Sequence, residues 1–235
     1  MHLTDAIGDA FTLLFSGDAA LWQIIWVSLK TSLTGLALAA PLALLAGYLI
    51  ATQHFSGRRV VIWLTQAALS LPTVLIGLLL YLILSRRGLL GGLHWLFSQP
   101  GVIAGQTLIA LPLLVALTLT AVQACDPRLA ETAITLGAAR WRVMLTVLHE
   151  ARFGVMAAVI NGFGRVISEV GCAMMVGGNI AGETRTITTA IALETSKGEF
   201  AQGIALGIVL IVIALIINAA LMLVQGGPRA VRAVS

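Results

Sequence analysis

The chain has 235 residues, of which 59% are hydrophobic and only 10% are charged, and its formal net charge is +4. A soluble domain carries roughly 25% charged residues, so this composition excludes a water-facing globular protein and places most of the chain in a lipid bilayer. The excess of Lys and Arg needs no nucleic acid to explain it, because cytoplasmic loops of membrane proteins are enriched in these residues.

The N-terminal residues contain acids but no Lys or Arg. They lack the basic segment of a cleaved signal peptide, so we expect the first apolar run to remain in the mature protein. A spanning helix needs about 20 mostly apolar residues. Pro41, Pro72 and Pro112 lie inside three such segments and are expected to kink those helices. The sequence predicts an all-α integral membrane protein, a single domain over residues 1–235, with five spans at about 22–51, 60–84, 102–124, 153–177 and 201–224.

The loops between the spans differ in basic residues. The loops at 54–59 and 125–152, together with the C-terminal tail, carry eight Lys and Arg residues, whereas the opposite set carries four. Because Lys and Arg mark cytoplasmic loops, the first set is predicted to be cytoplasmic. The N-terminus is then outside and the C-terminus inside, as five spans require.

The cytoplasmic loop at residues 126–152 is charged and amphipathic. Asp126 and Pro127 are typical of an N-cap and a first helical position, and Gly137 is typical of a helix stop. We predict a surface helix of about ten residues between them, then a second helix over 138–152 that leads into the fourth span. The first helix either lies on lipid headgroups or docks into a groove of a cytoplasmic partner. Its apolar strip comprises Leu129, Ala130, Ala133, Ile134 and Leu136.

The chain has neither a GxxxxGK[ST] phosphate loop nor an acidic pair suited to magnesium, so transport must be driven by a partner or by an ion gradient. The four histidines are scattered, and no catalytic group or metal site is predicted. Cys125 and Cys172 lie in or beside apolar runs, and we interpret both as packing residues.

Two charged residues lie inside the fourth predicted span. Arg165 and Glu169 are four residues apart and share one helix face with Ser168. A charge at the bilayer centre costs at least about 2.5–3.5 kcal/mol on insertion scales. The pair either staples this helix to its neighbours or presents Arg165 to an anion in the pathway. A neutralised arginine is a poor anion trap, which weighs against the second alternative.

The following outer segment, residues 179–200, is polar. Hydroxyls beside a guanidinium suit an oxyanion, but they equally suit a re-entrant half-helix that packs against its neighbours and forms part of a gate. Docking of an outer binding protein is a third alternative. The residues concerned are Asn179, Thr184, Arg185, Thr186, Thr188 and Thr189.

Glu131, Thr132 and Ala133, followed by Gly137 and a second helix, resemble the EAA loop of ABC importer permeases. Thr132 departs from the motif, which usually has Ala there. The resemblance implies that the short helix sits in a cleft of a separate ATPase subunit, with Glu131 contacting the ATPase and Gly137 making the turn. The implied ATPase-coupling residues are Asp126, Pro127, Arg128, Glu131, Thr132, Ala133, Gly137 and Arg140.

The run over residues 164–200, GRVISEVGCAMMVGGNIAGETRTITTAIALETSKGEF, strongly resembles the permease subunit of tungstate-type ABC importers, which are relatives of the molybdate permeases. The resemblance extends upstream through SLPTVLIGLLLYLILSRRGLLGG and ALTLTAVQACDPRLAETAITLGA. It implies a type I importer permease in the inner membrane that imports an oxyanion, with tungstate first and molybdate second. The implied pathway or gate residues are Arg165, Ser168, Glu169, Asn179, Thr184 and Arg185.

The resemblance also implies partners. These are an ABC ATPase dimer and a periplasmic or lipid-anchored oxyanion-binding protein. The permease itself is expected to act as a homodimer, because one five-helix protomer rarely encloses a gated channel by itself. ATP and magnesium would be used by the ATPase, and no cofactor would be bound by this chain. The alternative from a different class is a secondary anion transporter driven by an ion gradient, in which Arg165 and Glu169 relay protons or ions.

Overall fold

The computed structural model describes residue 12 and residues 16–224, and these residues form helices joined by loops, with no strand among them. The long helices follow the apolar runs, since a backbone in lipid must satisfy its N–H and C=O groups within its own segment. The predicted all-α membrane fold is therefore confirmed. The α-helices of this part of the chain are α1 (Ala19–Thr52), α2 (Arg58–Leu69), α3 (Thr73–Leu84), α4 (Gln99–Gln123), α5 (Arg128–Thr135), α6 (Arg140–Glu150), α7 (Arg152–Ile167), α8 (Gly171–Gly177), α9 (Ile187–Lys197) and α10 (Phe200–Val224).

Three helices are long and apolar enough to cross a membrane alone, namely α1, α4 and α10, the last over Phe200–Ala219. They fall on the first, third and fifth predicted spans. Pro41 and Pro112 lie inside α1 and α4, and neither ends its helix. Two further crossings require bent pairs to count as single spans: α2 with α3, bent by 99°, and α6 with α7, bent by 75°. The described residues thus give three to five spans, and the expected five is the upper value.

The second predicted span is broken at Pro72. This residue is the N-cap of α3 and has an extended conformation, with φ −60° and ψ 124°. Proline has no N–H to donate and disfavours a helical conformation in the residue before it. The expected kink is therefore a 99° break between two helices.

The fourth predicted span, residues 153–177, also consists of two helices, because α7 ends before residue 168 and α8 starts at residue 171. Glu169 explains the interruption. Its side-chain Oε1 accepts the backbone N–H of Cys172 at 3.0 Å, and its C=O accepts the hydroxyl of Thr188 at 2.6 Å. The backbone N–H of Cys172 and the C=O of Glu169 are thus hydrogen-bonded to side chains, whereas in a continuous helix they would pair with the backbone of the same helix.

One compact unit comprises the described residues up to Leu36, with Leu71–Ile109 and Phe163–Ile216. It has two apolar clusters. The first joins the N-terminal half of α1 to α9 and α10 through Leu21, Ile24, Ile25, Ile187, Ala190, Ala205 and Leu206. The second joins α3, α4 and α8 through Leu80, Leu84, Ile109, Cys172 and Val176.

The other compact unit comprises Ala37–Ser70, Ala110–Gly162 and the described residues from Ile217. Its cluster has Val122, Val147 and Ala151 at the centre, so the end of α4 packs against α6. The second helix of the charged loop, expected over 138–152, is α6, which starts at Arg140 and ends at Glu150. The chain then turns by 75° at Ala151 into α7.

Candidate functional site

The short helix α5 carries the residues of the EAA-like loop. Asp126 Oδ1 accepts the backbone N–H of Arg128 at 2.9 Å, so its carboxylate satisfies one of the free N–H groups at the start of the helix. Pro127 already has helical dihedral angles, φ −55° and ψ −30°. The helix itself is recorded over eight residues, slightly shorter than the predicted ten.

The C-terminus of α5 closes in a Schellman motif. Gly137 has a φ of +79°, a conformation that glycine adopts without steric cost. Its N–H donates to the C=O of Ile134 at 2.9 Å, and the N–H of Ala138 donates to the C=O of Ala133 at 3.0 Å. The predicted stop at Gly137 is present, and it directs the chain into α6.

The apolar residues of α5 divide between two surroundings. Leu129 and Ala130 pack on the cluster around Val122, Val147 and Ala151. Ile134 and Leu136 are 62% and 83% exposed, and Glu131 and Thr132 are exposed beside them. The prediction of a single exposed apolar strip is therefore wrong. Half of the strip packs α5 against its own unit, and the other half is exposed on the surface.

An open groove with a volume of about 670 Å³ runs beside Ile134. Residues from the C-terminal end of α1 and from the first turns of α6 line it, among them Tyr48, Thr52, Arg140 and Trp141. A neighbouring groove of about 380 Å³ contains His54, Asp126 and Glu131. The combination of an apolar groove and an acidic rim can receive a protruding side chain of a partner, with a basic residue at its edge.

Cys125 lies between α4 and α5, outside the membrane-spanning segments, and lines both a groove with Glu150 and the groove with Glu131. Burial, and then the negative charge of Glu150, raise the pKa of the Cys125 thiol. The residue packs against the cluster of this unit, and a thiol with a raised pKa is a weak nucleophile at neutral pH.

The charged pair of the fourth predicted span is formed as expected. Arg165 Nη1 donates to Glu169 Oε2 at 2.9 Å, and the side chains are 41% and 3% exposed. The carboxylate is held on its other oxygen by the N–H of Cys172. Ser168 is exposed, and its hydroxyl donates to the C=O of Gly164 at 2.8 Å. The pair is thus asymmetric, with a fixed buried anion and an accessible guanidinium.

The threonines of the outer segment serve the protein backbone. Thr184 is fully buried; its hydroxyl donates to the C=O of Gly177 at 2.6 Å and accepts the N–H of Ile180 at 2.9 Å. Thr186 and Thr189 form a capping box at the start of α9. These buried hydroxyls hold the turn between α8 and α9 together, as the packing alternative expects.

Arg185 and Asn179 are less completely satisfied. Arg185 Nη2 donates to the C=O of Asn179 at 3.5 Å, at the limit of a hydrogen bond. Arg185 Nε and Asn179 Oδ1 are buried without a hydrogen-bond partner in the described part of the chain. Asn179 also has a positive φ of 53°, which asparagine tolerates better than most residues.

Sequence reasoning missed the residues that hold the outer segment from α1 and α4. The hydroxyl of Ser28 accepts the N–H of Ile187 at 2.6 Å, and Gln99 Nε2 donates to the C=O of Glu183 at 2.9 Å. Lys30 Nζ in turn donates to Gln99 Oε1 at 2.9 Å. The sequence does carry a signal for them, because all three are polar residues in or at the ends of apolar spans. Polar residues are rare in membrane helices and usually have a structural or functional role there.

The described residues contain no group of three His, Cys, Asp or Glu side chains that could hold a metal ion.

The chain is similar to known proteins in three comparisons, with protein families, with curated proteins and with solved structures. Residues 39–227 match the family model described as binding-protein-dependent transport system inner membrane component.

Among curated proteins, the tungstate uptake system permease protein TupB of Campylobacter jejuni is 38% identical over 217 residues, which is 92% of this chain and 91% of that protein. The probable anion ABC transporter permease protein of Haloferax volcanii is 40% identical, covering 84% of this chain and 87% of that protein. The molybdenum transport system permease protein ModB of Escherichia coli K12 is 31% identical, covering 76% and 82%.

Among solved structures, the fold is similar to a chain of a bacterial alginate ABC transporter crystallised with an alginate pentasaccharide-bound periplasmic protein. The TM-score is 0.72, with 20% identity, 93% coverage of this chain and 85% of that chain. This similarity establishes the fold of an ABC transporter permease.

Proposed function

Because this chain belongs to the family of binding-protein-dependent transport system inner membrane components, we propose that it imports tungstate as the membrane-spanning subunit of an ABC transporter. It is a multi-pass permease of the inner membrane and not an enzyme, since members of this family translocate their substrate while a separate subunit hydrolyses ATP. Molybdate is the second candidate cargo.

One observation carries the choice of tungstate over molybdate. The tungstate permease of Campylobacter jejuni shares more identical residues with this chain, over a larger part of both proteins, than the molybdenum permease of Escherichia coli. Both cargoes are tetrahedral dianions of nearly equal size, so discrimination between them depends on small differences of hydrogen-bond geometry and on the binding protein.

Competition in uptake tests the cargo. Membrane vesicles that contain this chain, its ATPase and its binding protein should accumulate radiolabelled tungstate only with ATP. Unlabelled molybdate should compete weakly and sulfate least. Competition by molybdate stronger than by unlabelled tungstate would move the assignment to molybdate, and uptake that needs a proton gradient instead of ATP would refute the importer.

The exposed half of α5 is the proposed contact with the ATPase. Glu131, Ile134 and Leu136 present an acid and two apolar side chains on one short helix, and Asp126 and Gly137 fix both of its ends. Arg128, Thr132 and Arg140 lie exposed around it. Because Leu129 and Ala130 anchor α5 to the cluster of its unit, a displacement of α5 by the ATPase would pull on α4 and α6 as well.

We assign the whole chain to one permease domain. The helices α1, α4, α7 and α10 each continue from one compact unit into the other, so neither unit is a separable segment of the chain. A homodimer is proposed because one protomer with three to five spans rarely encloses a gated channel alone. The basic loops support a cytoplasmic position for α5 and for the C-terminus, whose Arg229 and Arg232 lie outside the described residues.

Arg165 is the proposed anion contact of the pathway. Its guanidinium has five N–H donors, and the hydrogen bond recorded in the described part of the chain uses one of them, to Glu169. With the side chain 41% exposed, further donors are open to a second anion. Glu169 keeps the arginine oriented, while Ser168, Asn179, Thr184 and Arg185 belong to the proposed gate.

A further inference from the structure

The bend between α6 and α7 presents an apolar stripe, one residue of which, Trp141, also lines the groove beside Ile134. We call residues 140–153 the elbow. Val143 and Val147 are the buried residues of α6. On its other side Trp141 and Leu145 are 57% and 51% exposed, and Phe153 in the first turn of α7 is 42% exposed. The first two are one helical turn apart, so they form a continuous surface.

Two arginines flank this stripe. The Arg142 guanidinium lies 5.2 Å from the centre of the Trp141 ring, and the Arg152 guanidinium lies 4.6 Å from the centre of the Phe153 ring. Stacking on an aromatic face leaves the N–H edge of a guanidinium open to an anion. Arg152 uses one of these groups, because its Nη1 donates to the C=O of His149 at 3.1 Å. Neither arginine has a carboxylate within 4 Å, since the ion pairs of the described residues are those of Arg165 and Lys197.

The direction of α6 places this surface at the membrane. The helix meets α7 at 75°, and α7 lies in the fourth predicted span, which starts at residue 153. If α7 follows the bilayer normal, α6 runs nearly parallel to the bilayer plane. An amphipathic helix with aromatic and aliphatic residues on one side and arginines beside them is typical of the headgroup layer.

We propose that the elbow is a binding site for anionic phospholipid of the cytoplasmic leaflet. Trp141, Leu145 and Phe153 insert between headgroups and upper acyl chains, and Arg142 and Arg152 contact lipid phosphates. The arginines match a negative surface, and the stripe is continuous with a helix that lies in lipid. The choice of leaflet rests on the proposed orientation, but lipid binding itself does not depend on the cargo.

The position of the stripe can be measured by quenching. In full-length protein with Cys125→Ser and Cys172→Ala, a bimane dye is attached to Leu145→Cys and the protein is placed in nanodiscs of phosphatidylcholine and phosphatidylglycerol. Lipid spin-labelled near the headgroup should quench the dye strongly, and iodide in the buffer should not. The same dye on Leu136→Cys, at the exposed end of α5, is the control and should respond to iodide.

Addition of the ATPase distinguishes lipid from this protein partner as the occupant of the elbow. If lipid covers the elbow, the signal from Leu145→Cys stays unchanged when the ATPase binds, while that from Leu136→Cys loses iodide access. Strong iodide quenching at Leu145→Cys that disappears only with the ATPase would assign the elbow to that subunit and overturn the proposal. Strong iodide quenching both with and without the ATPase would overturn it too.

The arginines are tested by lipid titration in zwitterionic nanodiscs. One basic residue near an anionic surface contributes about fivefold in affinity, so Arg142→Gln with Arg152→Gln should weaken phosphatidylglycerol binding about 25-fold. The matched control is Arg86→Gln with Arg87→Gln, two exposed arginines of another loop. Equal lipid affinity of both double variants would refute the role of the elbow arginines. If the elbow variant fails to insert, the quenching result still decides.

Discussion

Arg165 and Glu169 form an ion pair at 2.9 Å in which only the arginine is accessible, with its side chain 41% exposed and that of Glu169 3% exposed. The carboxylate cannot follow the arginine, because its second oxygen holds the N–H of Cys172 at the start of α8. Glu169 therefore has two roles. It pairs with the backbone at the break between α7 and α8, and it orients the guanidinium of Arg165. Stapling and anion contact, which sequence reasoning set against each other, are compatible in this geometry.

Arg165→Lys should lower transport much more than expression. Lysine keeps the charge and the pairing with Glu169 but loses the planar, bidentate donors that suit an oxyanion. We expect at least a tenfold drop in tungstate uptake per inserted molecule, measured against the amount of protein in the membrane. Glu169→Gln is the companion variant, and it should reduce the inserted amount, because it leaves the guanidinium of Arg165 without its anionic partner. Equal losses of uptake and of protein in Arg165→Lys would leave stapling as its only role.

Glu131→Arg should abolish import while the protein stays in the membrane. The side chain is exposed on α5 and makes no ion pair among the described residues, so the substitution reverses a surface charge without disturbing the fold. Uptake and co-purification of the ATPase are the measurements. Glu150→Arg, an exposed acid on α6, is the charge-matched control and should retain most uptake. Wild-type uptake by Glu131→Arg would contradict the docking role.

The helices around Cys172 pack closely, so a destabilising substitution at Gly105 should be compensated by a second substitution at Cys172. A Cβ at Gly105 would lie 2.6 Å from Cys172 Sγ, whereas a Cβ at Gly77 would lie 2.8 Å from the backbone Cα of Cys172. Overpacking of this kind costs about 1–3 kcal/mol. Gly105→Ala should lower the thermal unfolding temperature of the detergent-solubilised protein, and Cys172→Ala should restore it.

Gly77→Ala should be equally harmful but should not be rescued, because the obstacle is backbone. Gly207→Ala meets nothing within 4 Å and is the neutral control. Loss of stability in Gly207→Ala, or rescue of Gly77→Ala by Cys172→Ala, would show that the packing of α3, α4 and α8 differs from the one described.

Composition and local motifs predicted the fold class and the ends of α5, because both depend on short stretches of sequence. Apolar runs alone fix helices in lipid, and Asp126 and Gly137 act on their own neighbours. The break at Glu169 was not predictable in this way. It needs the hydroxyl of Thr188, which is 19 residues away and is brought close only by the packing of α9.

The candidate site was also predicted only where it depends on residues close together in the sequence. The pairing of Arg165 with Glu169 follows from helical spacing, and the pair is present. The division of the α5 strip was missed, since periodicity shows which residues share a face but not which half of that face the rest of the protein covers. Ser28 and Gln99 were missed for the same reason, as their partners in the outer segment are distant in sequence.

Cys125 should react slowly with alkylating reagents at neutral pH and faster as the pH rises. Burial and Glu150 both disfavour the thiolate, so the pKa lies above its ordinary value and the reactive form appears only at high pH. Glu150→Gln removes the electrostatic cause, lowers the pKa and should speed alkylation at pH 8. The rate of N-ethylmaleimide labelling against pH measures this effect. An identical pH profile in both proteins would show that Glu150 does not act on the thiol.

The same thiol tests the orientation of the chain. Cys172 is only 2% exposed, so Cys125 is the cysteine that reagents reach first, and it borders the groove with Glu131. If the basic loops are cytoplasmic, a membrane-impermeant maleimide should label Cys125 in inside-out vesicles at high pH but not in intact cells. Cys125→Ser is the background control, and a cysteine in place of Leu89, which is 93% exposed on the predicted outer side, should show the opposite pattern. Labelling of Cys125 from outside would place α5 where no ATPase could reach it, and the docking role would fail together with the orientation.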